Sequence, residues 1–118
     1  MNDIQEITKT IESYFQSTYR GNSDELRKIF HSNAYITGNI NGQFVDWPLD
    51  DFIARAITKP TAAEKKDPYD KQIISIDQTV NVAMVKARVV IAGLIFTDYM
   101  TLLKIEGKWL IRNKSFTT

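Results

Sequence analysis

Val82-Ala83-Met84-Val85-Lys86-Ala87-Arg88-Val89-Val90-Ile91, Ala92-Gly93, Leu94-Ile95-Phe96-Thr97-Asp98-Tyr99-Met100-Thr101-Leu102-Leu103-Lys104-Ile105 reads as two long strands joined at a tight turn. In the first strand Ala83, Val85, Ala87, Val89 and Ile91 share one face, and Val82, Met84, Lys86, Arg88 and Val90 share the other, the period of two of a pleated strand. The small aliphatic face must look inward. The second strand is apolar on both sides: Tyr99, Thr101, Leu103 and Ile105 alternate with Met100, Leu102 and Lys104. Taking the Tyr99–Thr101 side as inward leaves Met84, Met100 and Leu102 as an outer apolar patch. Asp98, on Met100's side, then falls on the outer surface or at a subunit contact.

Working outward, turn signals at Asp77 to Asn81 and at Glu106-Gly107-Lys108 add one strand before this pair and one after it. Four strands of about ten residues exceed the usual length of about 5–6 and so predict a strongly curved antiparallel sheet of successive hairpins. Upstream, Lys59 to Pro68 carries two prolines, three lysines and no periodicity, which is an exposed loop. Before it, Pro48 opens a helix in which Leu49, Phe52, Ile53, Ala56 and Ile57 share a face, with Asp50 and Asp51 at its positive end. Asn33 to Trp47 reads as a small hairpin around Asn39-Ile40-Asn41-Gly42. At the start, Ile4, Ile7, Ile11, Tyr14, Phe15 and Tyr19 form one stripe of a helix over Asp3–Arg20, capped by Asp3 with Glu6 and ended by Gly21. A short helix from about Ser23 to Phe30 follows, burying Leu26, Ile29 and Phe30.

The 118 residues fit one domain, 1–118, and 43% hydrophobic residues are enough to build its core. Fifteen Lys and Arg against fourteen Asp and Glu leave a net charge of +1, too little field to hold a phosphate polymer or an anionic bilayer. Neither nucleic acid nor a membrane is therefore an expected partner. No cysteine and one histidine exclude thiolate catalysis and His- or Cys-rich metal sites, so no metal and no cofactor are expected. Met1 to Glu6 has no signal-peptide pattern and no stretch approaches the eighteen apolar residues of a membrane span, which makes cytoplasmic the expected location.

Two segments carry a family likeness. Ser13-Tyr14-Phe15, Arg20-Gly21-Asn22-Ser23-Asp24-Glu25-Leu26 and Ile29-Phe30-His31-Ser32-Asn33-Ala34 resemble the opening of the nuclear transport factor 2-like superfamily, with Ser32 in place of its usual proline. Phe96 to Phe116 resembles the last hairpin of its lumazine-binding, polyketide-cyclase-like branch. The resemblance spans the whole chain and implies a cone-shaped α+β barrel: three N-terminal helices packed on a strongly curved, mostly antiparallel sheet, with a pocket inside. It also implies a homodimer through the outer sheet face. Against the ketosteroid isomerases of the superfamily, Tyr14 matches the phenol that polarises the substrate carbonyl, but the two carboxylate positions fall on Gly38 and Thr101. A single histidine cannot supply the histidine pair of the dehydratase members.

The candidate site follows from both readings: Tyr14, Phe52, Ile36, Gly38, Tyr99, Thr101 and Lys114 inside the cone, with Trp47 at its rim. Gly38 is expected to open room and Lys114 to be the single full charge, which suits a flat, partly polar or anionic organic ligand of unknown identity. An enclosed Lys114 should have a depressed pKa. Arg112 shares parity with Lys114 and with it lines either the cavity or a solvated face. Trp47 either covers the ligand or staples the third helix to the sheet. His31 has two readings, an acid–base group or a structural imidazole bonding the last carbonyls of the short helix, and the loop lysines Lys65 and Lys66 are expected to be solvated. Three function classes stay open. A small-molecule-binding domain without chemistry fits the missing catalytic set; an acid–base enzyme of isomerase, dehydratase or cyclase type would use Tyr14 and Lys114; a dimeric protein-interaction module would need an exposed apolar groove. A titratable group in the cavity with a markedly shifted pKa favours the enzyme.

Overall fold

The computed structural model describes residues 1–118. Its elements run α1 (Asp3–Arg20), α2 (Ser23–Ile29), β1 (Phe30–Ile40), β2 (Gln43–Pro48), α3 (Leu49–Ala56), β3 (Lys71–Thr79), β4 (Val82–Ile91), β5 (Leu94–Ile105) and β6 (Lys108–Thr117). The six strands form one curved, unclosed sheet in the order β2-β1-β6-β5-β4-β3, with only the β1–β6 pair parallel. The helices fill its concave side, the α+β cone expected from the sequence.

Residues four apart and their neighbours explain α1: Ile7, Ile11, Tyr14 and Phe15 are all buried, on one stripe of the helix. They meet Leu26, Phe30, Ile53, Val85, Met100, Leu102 and Ile111 in a single core of 21 buried side chains. Helix α1 is capped one residue earlier than expected. Asn2 accepts from the Gln5 amide and Gln5 returns a bond to Asn2. Asp3 is thereby released to reach across to the sheet, where it accepts from Lys104 Nζ at 3.0 Å, Trp109 Nε1 at 3.1 Å and Gln78 Nε2 at 3.2 Å. Those donors hold its carboxyl below the usual carboxylate range.

The inward side of β5 is the opposite of the one expected. Ala92-Gly93 is a two-residue turn, so Ile91 faces Leu94 and, counting back, Val89 faces Phe96, Ala87 faces Asp98 and Val85 faces Met100. Directly opposed residues share a face of the sheet, and Val85, Ala87 and Val89 are buried as predicted. Met100 and Leu102 therefore belong to the core, and Asp98 is 2% exposed, far from the outer surface assigned to it. Tyr99 is 43% exposed and Thr101 lies half-buried beside it on the outer face.

A bulge sets the last strand. From the Glu106-Gly107 turn, Leu103 faces Leu110, and Leu102 faces Ile111; the next step pairs Thr101 with Asn113, so Arg112 is an extra residue. A residue inserted on one strand reverses the alternation beyond it. Trp109 and Ile111 point inward before the bulge, and Lys114 and Phe116 point inward after it. Arg112 parts company with Lys114: its Nη1 donates to the Asn33 carbonyl at 2.9 Å and its guanidinium lies 5.7 Å from the Tyr35 ring centre.

Candidate functional site

Helix α1, strands β5 and β6 and helix α3 converge on three polar side chains in the apolar interior. Tyr14, Asp98 and Lys114 are 4%, 2% and 7% exposed. Lys114 Nζ donates to Tyr14 Oη at 2.7 Å, and Tyr14 Oη donates to Asp98 Oδ2 at 2.9 Å. The two hydrogen bonds run in one direction, from ammonium through phenol to carboxylate, and no direct ion pair joins the ends.

Aromatic faces surround the cation. Lys114 Nζ lies 4.4 Å from the ring centre of Phe52, 5.0 Å from that of Tyr14 and 5.3 Å from that of Phe116, each within cation–π range. Burial disfavours the ammonium and pushes the Lys114 pKa below its ordinary value, with the Asp98 charge opposing. Burial, and then the adjacent Asp98, hold the Tyr14 phenol well above the ordinary tyrosine value. The phenol is therefore held in its neutral form between the two charged ends.

The chain ends on a cavity of about 300 Å³ between the sheet, α3 and the 58–67 loop. Tyr14, Phe52, Asp98, Lys114 and Phe116 line its inner end, and Trp47, Arg55 and Lys65 stand at its outer end. Trp47 is stacked on Phe116 at 6.1 Å and carries the Arg55 guanidinium 4.4 Å above its ring. Asp98 Oδ1 makes no hydrogen bond within the protein, yet no unbonded side-chain oxygen is sealed from solvent, so that oxygen opens on the cavity.

Of the eight residues proposed from sequence, the structure brings Tyr14, Trp47, Phe52 and Lys114 to this cavity. Ile36 and Gly38 are buried behind it on β1, opposite Lys114 and Phe116. Gly38 opens no room: a Cβ there would overlap the Phe116 carbonyl oxygen and come within 2.8 Å of its ring, so the glycine is what lets β6 and the Phe116 ring pack close. Tyr99 and Thr101 lie across the sheet on its outer face. Asp98, expected on the outer surface, is in the site; the two-residue turn at Ala92-Gly93, which sets it opposite Ala87, is the sequence signal for its inward side.

His31 is half-buried on β1, away from the cavity, and its Nδ1 accepts from the Asn33 amide at 3.0 Å instead of bonding helix carbonyls. Lys66 is exposed, and Lys65, also exposed, pairs with Asp67 at 3.4 Å on the cavity's rim. A further basic group faces the interior from β3: the Lys71 pKa is lowered to about 8, first by burial, with Asp98 opposing and Lys114 adding.

The two lowered lysines give a sign for pH. Each is charged below its folded pKa and neutral above it, and a cation favours an anionic ligand. Any anion placed beside these lysines is therefore expected to be held better as pH falls through their lowered pKa values, about 8 for Lys71. Calorimetric titration across that range checks this, and Lys114→Met should leave only the part of the profile that Lys71 supplies. Affinity that rises with pH would contradict the assignment of charge.

Comparison with known proteins agrees with the geometry. The family model "Putative lumazine-binding" matches residues 2–117. An NTF-2 like protein of unknown function from Silicibacter pomeroyi superposes with a TM-score of 0.84 at 29% identity, over 96% of this chain and 92% of its own. One from Methylobacillus flagellatus reaches 0.80 at 27% identity, over 98% and 90%. Among curated proteins, Aldolase FrzH of Cladobotryum sp is 22% identical over 115 residues, 98% of this chain and 90% of that one. With the cone, its interior cavity and a family match over nearly the whole length, the chain belongs to the "Putative lumazine-binding" family of the NTF2-like superfamily.

Proposed function

We propose that this domain binds a flat carbonyl compound with a polar or anionic group inside the cone and works on it by acid–base catalysis. The observation that carries this reading is the buried Lys114–Tyr14–Asp98 chain, whose two ends both reach one cavity. A domain made only to hold a ligand has no need of a buried carboxylate and a buried lysine joined through a phenol, since both charges are costly to desolvate. Perturbed groups converging in a cleft are enriched at catalytic sites. Likeness to a relative named as an aldolase supports the same chemistry.

The roles follow from the unused valences. Asp98 Oδ1, without a partner, is the base that takes a proton from the carbon beside the carbonyl. Lys114 spends one donor on Tyr14 and has two left for the carbonyl oxygen, where negative charge grows as the enolate forms. The cavity, at the small end of the range of ligand sites, suits a body of one or two rings. Phenylpyruvate has those features. Its methylene signal in deuterated buffer, followed by proton NMR, should fade in proportion to protein concentration. Binding without acceleration over buffer would reduce the domain to a carrier.

The outer sheet face supports a homodimer, with membership corrected by the strand orientation. Met100 and Leu102 are core residues; Val82, Met84 and Tyr99 remain exposed there, with Leu103 half-buried between them. Pairing this face with its symmetry mate would cover it. Light scattering at micromolar concentration should give twice 13.6 kDa, and Met84→Asp should halve that mass. A monomer in the unaltered protein would end the proposal.

A further inference from the structure

We propose that Lys114 acts covalently, its Nζ condensing with the ligand's carbonyl carbon to form a protonated imine. The inference rests on the carbonyl reading above and adds a bond to it. The ten lysines are not equivalent. Lys114 alone combines burial, a place in the cavity lining and a hydrogen bond to Tyr14 that continues to a carboxylate. Lys65 also lines the cavity but is exposed and pairs with Asp67. Lys71 faces the interior but does not line the cavity.

The hydrogen-bond direction gives the step its proton path. A lysine must lose a proton before it can attack. Moving one proton from Lys114 Nζ to Tyr14 Oη while the phenol's own proton passes to Asp98 Oδ2 leaves amine, phenol and carboxylic acid, with no ion formed on the tyrosine. The amine lone pair then bonds to the carbonyl carbon, and the carbonyl π pair moves to oxygen. Nitrogen sheds two hydrogens in all, one through the relay and one after addition. Both leave on the carbonyl oxygen as water when the carbon–nitrogen double bond forms. Ammonium and ketone thus give protonated imine and water, with no other reactant. The new cation stays where Phe52, Tyr14 and Phe116 already face a positive nitrogen, and the restored Asp98 carboxylate can then take the α-proton with the imine as electron sink.

Borohydride trapping tests this on the intact protein. Incubated with phenylpyruvate and cyanoborohydride, each chain should gain one adduct equal in mass to the ketone less one oxygen atom. Peptide mapping should place it on Lys114. Tyr14→Phe, which cuts the proton path, should slow trapping by about tenfold or more. Lys114→Arg keeps a cation that cannot form an imine, and should lose both adduct and deuterium exchange, with circular dichroism verifying its fold. An adduct on Lys71 or spread over surface lysines overturns the inference. So does exchange that survives in Lys114→Arg, or a wild-type protein that exchanges deuterium but traps nothing; in both cases the acid–base reading stands without the covalent step. Absence of exchange and adduct at saturating phenylpyruvate defeats the two together.

Discussion

Asparagine in place of Asp98 is expected to slow the α-proton exchange of bound phenylpyruvate by about 10²–10⁴-fold, the usual worth of a positioned general base. The substitution keeps shape and lets the side-chain oxygen go on accepting from Tyr14, so the fold and the cavity should persist. What disappears is the carboxylate that receives protons from the relay and from the substrate. Binding is expected to change far less than rate, because the groups that line the apolar walls are untouched. Exchange rates by NMR, with the dissociation constant measured on the same sample, separate the two. An Asp98→Asn protein that exchanges like the parent would mean the carboxylate only steadies the lysine.

The second large effect is on stability. Gly38→Ala should cost at or beyond the upper end of the about 1–3 kcal/mol typical of overpacking, seen as a melting temperature lower by several degrees per kcal/mol. Its added carbon would overlap the Phe116 backbone carbonyl in the parallel β1–β6 pair, and backbone cannot rotate away as a side chain does. Truncating the ring in a Gly38→Ala, Phe116→Ala double variant should therefore fail to restore stability. Any relief obtained by shifting β6 also moves Lys114, two residues away, so ligand affinity should fall with the melting temperature. Thermal unfolding by circular dichroism reads the first and calorimetry the second. A Gly38→Ala protein as stable as the parent would contradict the close packing of these strands.

How much was legible depends on which signal each element carries. Helix α1 announced itself through a stripe of large apolar residues, and α3 through Pro48 and the paired aspartates, so both were readable within a residue or two. Strand β4 was equally clear because one of its faces holds only small aliphatic side chains. Strand β5 was not, since Tyr99, Thr101 and Leu103 are as acceptable inside as Met100 and Leu102. Periodicity identifies such a strand but cannot orient it. The two-residue turn does so by fixing which residues stand opposite, and following it would have brought Asp98 indoors. The bulge at Arg112 lies beyond either signal, because nothing in Ile111-Arg112-Asn113-Lys114 marks which residue is the extra one. By parity alone Arg112 has as good a claim to the cavity as Lys114. The bulge is the physical reason it points there while Arg112 does not.

Everything proposed for this site depends on Lys114 being enclosed and joined through Tyr14 to Asp98. The most direct test is an NMR pH titration of the Lys114 ε-methylene in protein carrying labelled lysine, assigned by comparison with Lys114→Met. The predicted midpoint lies below the ordinary lysine value of 10.5 and apart from the surface lysines, because burial disfavours the charged form. In Asp98→Asn it should drop further, since the carboxylate that supports the ammonium is gone. A Lys114 that titrates with the exposed lysines and ignores Asp98→Asn would contradict the buried relay and the chemistry drawn from it.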